Sequence, residues 1–392
     1  MISAEKIIYL DNNATTQLDP AVLEEMLPFL TSRYGNPSSG YRFGSQVRSS
    51  IDLARERVAG LLGCEPAEIV FTSCGTEANN TALQSALQLD PKRRHIVTTA
   101  VEHSAIRAHC EQLARRGCTV TFVRVDRDGN LDLEELENAI TPQTAIVSAM
   151  WANNETGVLF LVEKIAEIAR RKRVLFHTDA VQAVGKIPIR LRDSPINFCS
   201  VSAHKLHGPK GVGALYVHRR SVFRPLLIGG NQENSRRAGT ENVAGIVALG
   251  KAAERAAEML GEAQSRVRAL RDHFEQEILA EIPDTFVNGG RETRLPNTSS
   301  LSFAGIDSGA ALLLLDQQGV CCSAGSACRT GSLDPSHVLR AMDLSEERLR
   351  GSLRFSFGRF NTETEVEKAI AILRRTIEKL RRLSPSPEAL SV

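Results

Sequence analysis

The chain has 392 residues, 42% of them hydrophobic and 24% charged, and 48 basic against 46 acidic residues give a formal net charge of +2. That length exceeds what one ordinary core supports, so two domains are expected, and the balanced, well-mixed charge argues against nucleic acid or a membrane surface as a partner. No apolar run approaches the roughly 20 residues of a membrane span. The start of the sequence lacks the regions of a signal peptide, which sets the expectation of a cytoplasmic protein. The cysteines (64, 74, 110, 118, 199, 321, 322 and 328) have no framework spacing and are expected as free thiols.

In chain order, Tyr9 to Thr16 reads as a short extended entry and a polar turn. A helix over Pro20 to Leu30, the turn-rich Tyr34-Gly-Asn-Pro-Ser-Ser-Gly40 and an amphipathic helix over Ser45 to Leu62 follow. Ile69 to Thr72 reads as a strand that turns through Ser73-Cys-Gly-Thr76 into a helix running to Leu89. Strands and helices then alternate. The strands are Ile96–Thr99, Thr119–Val125, Ala145–Met150 and Val174–His177; the helices are Ser104–Arg116, Leu133–Ala139 and Val162–Arg171. This rhythm implies a mostly parallel, doubly wound sheet, with ligands beyond the carboxyl ends of its strands. Ile196 to Val201 and Val212 to Val217 read as strand, tight turn, strand. A long helix over Val243 to Ile278 then bridges to a second, smaller α+β region. That region has strand-like stretches at Thr285–Val287, Thr298–Phe303 and Leu353–Phe357, and a helix near Ser308–Gln317. A helix over Glu363–Leu383 and a Ser-Pro tail from Ser384 close the chain.

Polar residues gather where the strands end. Lys205, in Ser202-Ala-His-Lys205, sits on the connection between two strands; it is a solvated cation or a Schiff-base lysine whose neighbours Ser202 and His204 hold a phosphate. Asp179 directly follows an apolar strand, as a helix cap or as a buried anion paired with a cation such as a protonated pyridine nitrogen. His103 is a hydrogen-bonded loop residue or a ring-stacking proton carrier. Ser73 to Thr76 is a plain N-cap or an anion site at a helix N-terminus. Arg354 alternates with apolar residues on a strand, as a surface residue or a bidentate carboxylate clamp. Cys328 lies in a run of small residues, Cys321-Cys-Ser-Ala-Gly-Ser-Ala-Cys328, beside Arg329; a thiol there suits a nucleophile on a mobile loop. Cys74 reads as a small packing residue. The nucleotide fingerprints G-x-G-x-x-G and G-x-x-x-x-G-K-[ST] are absent, and Cys321, Cys322, Cys328 and His337 fit no common zinc spacing.

From Tyr9 to about Phe360 the sequence resembles the pyridoxal-phosphate-dependent cysteine desulfurases of the NifS/IscS type, within the class V aminotransferases. The likeness rests on Y-L-D-N-N-A-T-T (9–16), Y-G-N-P-S-S (34–39), F-T-S-C-G-T-E-A-N-N (71–80), E-H-S-A (102–105) and N-N-E-T-G (153–157). It continues through H-T-D-A-V-Q (177–182), S-A-H-K-L-H-G-P-K-G (202–211), R-R-A-G-T-E-N (236–242), S-A-G-S-A-C (323–328) and R-F-S-F-G-R-F (354–360). The resemblance implies an α/β protein of PLP-dependent fold type I. Its large domain (15–255) would carry the doubly wound, mostly parallel sheet. A smaller α+β domain (1–14 and 256–392) would carry the catalytic loop at about 321–332.

The implied cofactor is pyridoxal 5′-phosphate, held covalently by Lys205. His103 would stack on its ring, Asp179 would face the pyridine nitrogen, and Asn154 and Gln182 would contact the ring oxygen. Gly75, Thr76, Ser202 and His204 would bind the phosphate, joined by Thr240 from the second protomer of a homodimer. Arg354, with Asn13 and Asn154, would hold the carboxylate of L-cysteine. Cys328 would take the sulfur as a persulfide, leaving L-alanine, and would pass it to an iron–sulfur scaffold or another acceptor protein. No permanent metal is implied, only a transient iron–sulfur contact at Cys328. Selenocysteine lyase, an aminotransferase and a non-catalytic sulfur-relay protein are the competing readings.

Overall fold

The computed structural model describes residues 7–324 and 336–383. Its central element is a seven-stranded sheet in the order Ile69–Thr72, Gly213–Val217, Phe198–Ser202, Leu175–Asp179, Thr144–Ser148, His95–Thr99 and Thr119–Val123. All neighbours pair in parallel except those of Gly213–Val217, which runs antiparallel to both of its partners. The six parallel strands therefore end on one edge of the sheet, and the interior strands are buried along nearly their whole length because helices cover both faces.

Two buried clusters flank the sheet. One holds Val97, Val147, Phe176, Val201 and Tyr216, with Ile51, Val58 and Leu249 from the helices Arg42–Leu62 and Val243–Glu258. The other holds Ile96, Ile146, Phe198 and Leu215 with Ala82, Leu83 and Ile106. A separate cluster of Phe274, Phe303, Phe355, Phe357 and Leu373 lies between a four-stranded antiparallel sheet and the helices Arg268–Glu281 and Glu363–Leu383. That sheet runs Ser323–Ala324, Ser352–Ser356, Thr298–Phe303, Thr285–Val287. Val338, Leu339 and Met342 pack instead on the central cluster.

Two expectations change. The stretch Val243 to Ile278 is not one regular helix: it breaks at Met259, resumes as the turn Leu260–Glu262 and passes through a π turn at Ala263–Val267 into Arg268–Glu281. A wide turn of this kind marks an irregularity in the ladder that side-chain periodicity does not record. The link between the strands Phe198–Ser202 and Gly213–Val217 is not a tight turn either. It opens with a 3₁₀ turn at Ala203–Lys205, and a Gly/Pro loop follows.

Candidate functional site

A cavity of about 320 Å³ sits at the carboxyl ends of the parallel strands. It is large enough for a small cofactor, and each strand end delivers part of its lining. Ile69–Thr72 leads to Cys74, Gly75 and Thr76; His95–Thr99 to His103; Thr144–Ser148 to Met150 and Asn154; Leu175–Asp179 to Asp179 and Gln182; and Phe198–Ser202 to Ser202, His204 and Lys205. Asn13 and Arg354 close the cavity from the other side.

The helix Gly75–Leu89 points its N-terminus into the cavity. Its first N–H groups have no carbonyl one turn earlier, so they carry the positive end of the helix dipole. Cys74, expected only to pack, lines the cavity and caps this helix, its sulfur accepting from the Glu77 N–H at 3.5 Å. A Cβ at Gly75 would stand 2.8 Å from Val181 Cγ2, so only glycine leaves the backbone open there.

Asp179 is buried and caps its own turn: Oδ1 accepts from the Val181 N–H at 3.0 Å and Oδ2 from Asn79 Nδ2 at 2.6 Å. His103 caps the helix Ser104–Arg115, its Nδ1 accepting from the Ala105 N–H at 3.1 Å, which leaves Nε2 to carry any proton of the neutral ring. Burial, and then Lys205, lower the basicity of His103, while Asp179 raises it. His204 is pushed down to about 4, by burial first and the nearby lysines next. Lys205 Nζ donates to the backbone carbonyls of Asn13 at 2.5 Å and Ala14 at 2.6 Å.

Arg354 is buried and donates to Asp11 Oδ1 at 2.8 Å and to the Asn154 carbonyl at 2.9 Å. Its Nε and the Asn154 Oδ1 are buried without a protein partner. Gln182 donates to the Asn13 carbonyl at 2.9 Å.

Thus Asn13, Gly75, Thr76, His103, Asn154, Asp179, Gln182, Ser202, His204, Lys205 and Arg354 line one cavity. Thr240 does not; it lines a second, smaller cavity with Phe71, Ser73, Gly211 and Arg237. Cys328 lies outside the described residues. Among the described residues no group of three or more His, Cys, Asp or Glu side chains could hold a metal.

Sequence reasoning missed Asn79 and Lys186, and it placed Glu102 beside His103 at a strand end without giving it a role. Asn79 holds Asp179 from the helix above it. Glu102, fully buried and pushed up to about 8 by burial, accepts from the Thr99 hydroxyl and the Met150 N–H behind His103. Lys186, four residues after Gln182 in the same turn, donates to its Oε1 at 2.7 Å.

The residues present fit pyridoxal phosphate. An amine, a buried carboxylate, a neutral imidazole and a helix N-terminus converge on one cavity, and buried polar atoms of Asn154 and Arg354 there lack partners. Comparison with known proteins agrees. The family model described as aminotransferase class-V matches residues 8–369. A cysteine desulfurase of Nostoc sp. is 53% identical over 97% of this chain and 95% of its own length. The cysteine desulfurase NifS of Azotobacter vinelandii is 50% identical over 96% of this chain and 94% of its own. Among solved structures, a NifS-like protein superposes with a TM-score of 0.90 at 38% identity, covering 95% of this chain and 100% of that one. SspA in complex with cysteine superposes with a TM-score of 0.80 at 33% identity, covering 90% and 99%.

Proposed function

The chain belongs to the aminotransferase class-V family, and on that premise we propose that it is a cysteine desulfurase: with pyridoxal 5′-phosphate as cofactor it removes the sulfur of L-cysteine and releases L-alanine. The observation that carries this is the convergence of five parallel strand ends on one cavity around Lys205.

The bound cofactor supplies an electron sink that makes the substrate Cα acidic and its sulfur a leaving group. Everything else falls to the chain. Lys205 tethers the cofactor through Nζ and afterwards carries protons as a free amine. His103, uncharged at neutral pH because it is buried, would cover the ring and give up, then take back, the proton that its neutral ring carries at Nε2. Asp179 stays fixed by Asn79 and Val181, so that its charge faces the ring nitrogen. The N–H groups of Gly75 and Thr76, the Ser202 hydroxyl and His204 receive the phosphate. Gln182 and Asn154 meet the ring oxygen. Arg354, with Asn13 and Asn154, takes the substrate carboxylate, the buried guanidinium being held in plane by Asp11.

The Cys328 thiol accepts the sulfur. Its S–H becomes S–S–H, and the cysteine carbon gains the hydrogen that makes it alanine, so no outside oxidant is needed. The persulfide then goes to an acceptor protein, such as an iron–sulfur scaffold. The small antiparallel domain provides Arg354 and the flanks of the Cys328 segment, and the parallel domain provides the cofactor cradle.

Two surfaces support a homodimer. Leu23, Leu27 and Leu30 form an exposed stripe on the helix Pro20–Thr31, continued by Tyr34 and Tyr41, and such a patch calls for a cover. Thr240 lies on a separate cavity of its own chain and is free to complete the phosphate site of the other. No described helix is long and apolar enough to cross a membrane; with the balanced charge, this supports a cytoplasmic enzyme.

The test is alanine release from L-cysteine in the presence of a thiol reductant, by the unaltered chain and by Cys328→Ser. The unaltered chain should turn over. The variant should keep the cofactor's visible absorption and lose alanine formation. A chain that binds the cofactor and releases no alanine from cysteine contradicts the reading.

A further inference from the structure

His337 fits no zinc spacing, but its ring is bonded to the turn that carries His103. Ser336 caps the short helix His337–Ala341. Its Oγ accepts from the Val338 and Leu339 N–H groups at 3.1 Å and donates to the buried carboxylate of Glu155 at 2.5 Å. Val338 and Leu339 pack on the central cluster, so the helix is docked by groups other than His337. The imidazole donates instead to the Glu102 main-chain carbonyl, at 2.9 Å from Nε2. A carbonyl only accepts, which places the proton on Nε2. Burial keeps this ring less basic than usual, against the bond to Glu102. Arg107 and Glu111, which face it from the helix Ser104–Arg115, pair with each other.

The Glu102 carbonyl belongs to the planar peptide whose nitrogen is that of His103. A bond at its oxygen therefore also fixes how the backbone enters His103. Separate elements hold the rest of the turn. Asn153 Nδ2 donates to the Val101 carbonyl at 3.1 Å. The Glu102 carboxylate accepts from the Thr99 hydroxyl at 2.8 Å and the Met150 N–H at 2.9 Å. The His103 ring accepts from the Ala105 N–H at Nδ1. The bond from His337 spans 235 positions and acts on the peptide directly before His103.

We propose that His337 is a positioning residue for His103: by holding the Glu102–His103 peptide, its Nε2–H keeps the His103 imidazole aimed into the cavity where it moves the substrate's proton. A misplaced proton carrier costs rate and not substrate binding, because Arg354 and Asn13 stand on the other side of the cavity.

The inference rests on the proposed role of His103, and the test reads position and chemistry separately. His337→Phe keeps a ring and loses the donor; His337→Gln keeps a donor at similar reach. In the full chain without cofactor, hydrogen–deuterium exchange is followed by peptide mass spectrometry. His337→Phe should speed exchange in the peptide covering 101–107 by about tenfold, the worth of one hydrogen bond, while the strand Thr144–Ser148 keeps the parent's rate. In the cofactor-loaded Cys328→Ser background, deuterium uptake at Cα of L-alanine follows the proton without the thiol. His337→Phe should slow that uptake about tenfold at an unchanged half-saturating alanine concentration. His337→Gln should stay near the parent in both measurements.

Unmoved exchange at 101–107, or a rise across the whole sheet, overturns the proposal. So does unslowed uptake at Cα, a raised half-saturating concentration with no loss of rate, or a His337→Gln protein as impaired as His337→Phe. Failure of both variants to fold overturns it too, because it makes His337 a structural residue. A loaded parent that exchanges alanine yet releases none from cysteine sinks the desulfurase reading and leaves this test standing. A chain that stays colourless with pyridoxal phosphate sinks the cofactor reading, and amide exchange still decides whether His337 holds the turn.

Discussion

The two walls of the cavity are built on opposite plans. The wall made by the strand ends turns donors toward the space: Gly75 and Thr76 present N–H groups with no partner in their own helix, and Lys205, on a 3₁₀ turn, donates to the backbone carbonyls of Asn13 and Ala14. The wall made by Asn13 and Arg354 is a closed network, with Asp11, Ser323, Arg354, Asn154, Asn13, Asn297 and Lys186 bonded to one another. The open wall is arranged to receive a ligand that completes it, whereas the closed wall is arranged to stay put while a substrate is exchanged. The first should fail chemically when altered, and the second should fail in stability as well.

The largest effect is expected on the open wall. Lys205→Ala should cut alanine formation by about 10²–10⁴-fold, the range for losing a positioned proton carrier, while the melting temperature stays near that of the parent; a steady-state alanine assay beside a thermal melt reads both. On the closed wall, Arg354→Ala strands the Asp11 carboxylate in a mostly buried place. It should cost about 3 kcal/mol of stability as well as raising KM for cysteine, measured by urea unfolding and by kinetics. An Arg354→Ala protein as stable as the parent would erase the distinction between the walls.

A subtler probe of the open wall is Gly75→Ala, whose methyl would press on Val181 Cγ2 at 2.8 Å. Cofactor affinity should fall by roughly tenfold, about 1.4 kcal/mol, as followed by equilibrium titration, with little change in the melt.

A pH-dependent effect belongs to Glu102, behind His103. Its carboxyl is raised to about 8 by burial, and Oε2 has no protein partner while Oε1 accepts both of its bonds. Below the unfolded value, near 4.5, both states are protonated. Between there and about 8 only the native state keeps the proton, so stability is lost as pH rises. Glu102→Gln, which cannot titrate, should lack that loss. Its stability relative to the parent should therefore climb between pH 5.5 and 8 in urea unfolding, and a flat difference would show that Glu102 is ionised in the fold.

The same contrast explains what the sequence revealed. Lys205, Asp179 and His103 each lie at, or a few residues beyond, the carboxyl end of a strand, so the βαβ rhythm puts them on one edge, and the motif matches then assign each a role. The closed wall was far less legible. Arg354 was visible as an alternating residue, but its partner Asp11 lies 343 positions away, and only the fold brings the two together. Lys186 looked like an ordinary lysine because its burial comes from Asn13 and the helix after Asn242 packing over it, which no local pattern encodes. The broken helix between Glu258 and Arg268 was hidden for a related reason: its apolar spacing continues through a turn that changes only the hydrogen-bond ladder.

The central claim is that the coenzyme's aldehyde is joined to one lysine of two that share Asn13. Reduction of the yellow protein with borohydride, followed by digestion and peptide mass spectrometry, tests it directly. The account predicts the pyridoxyl label on Lys205 alone; a label on Lys186, or on no lysine of this cavity, would contradict it.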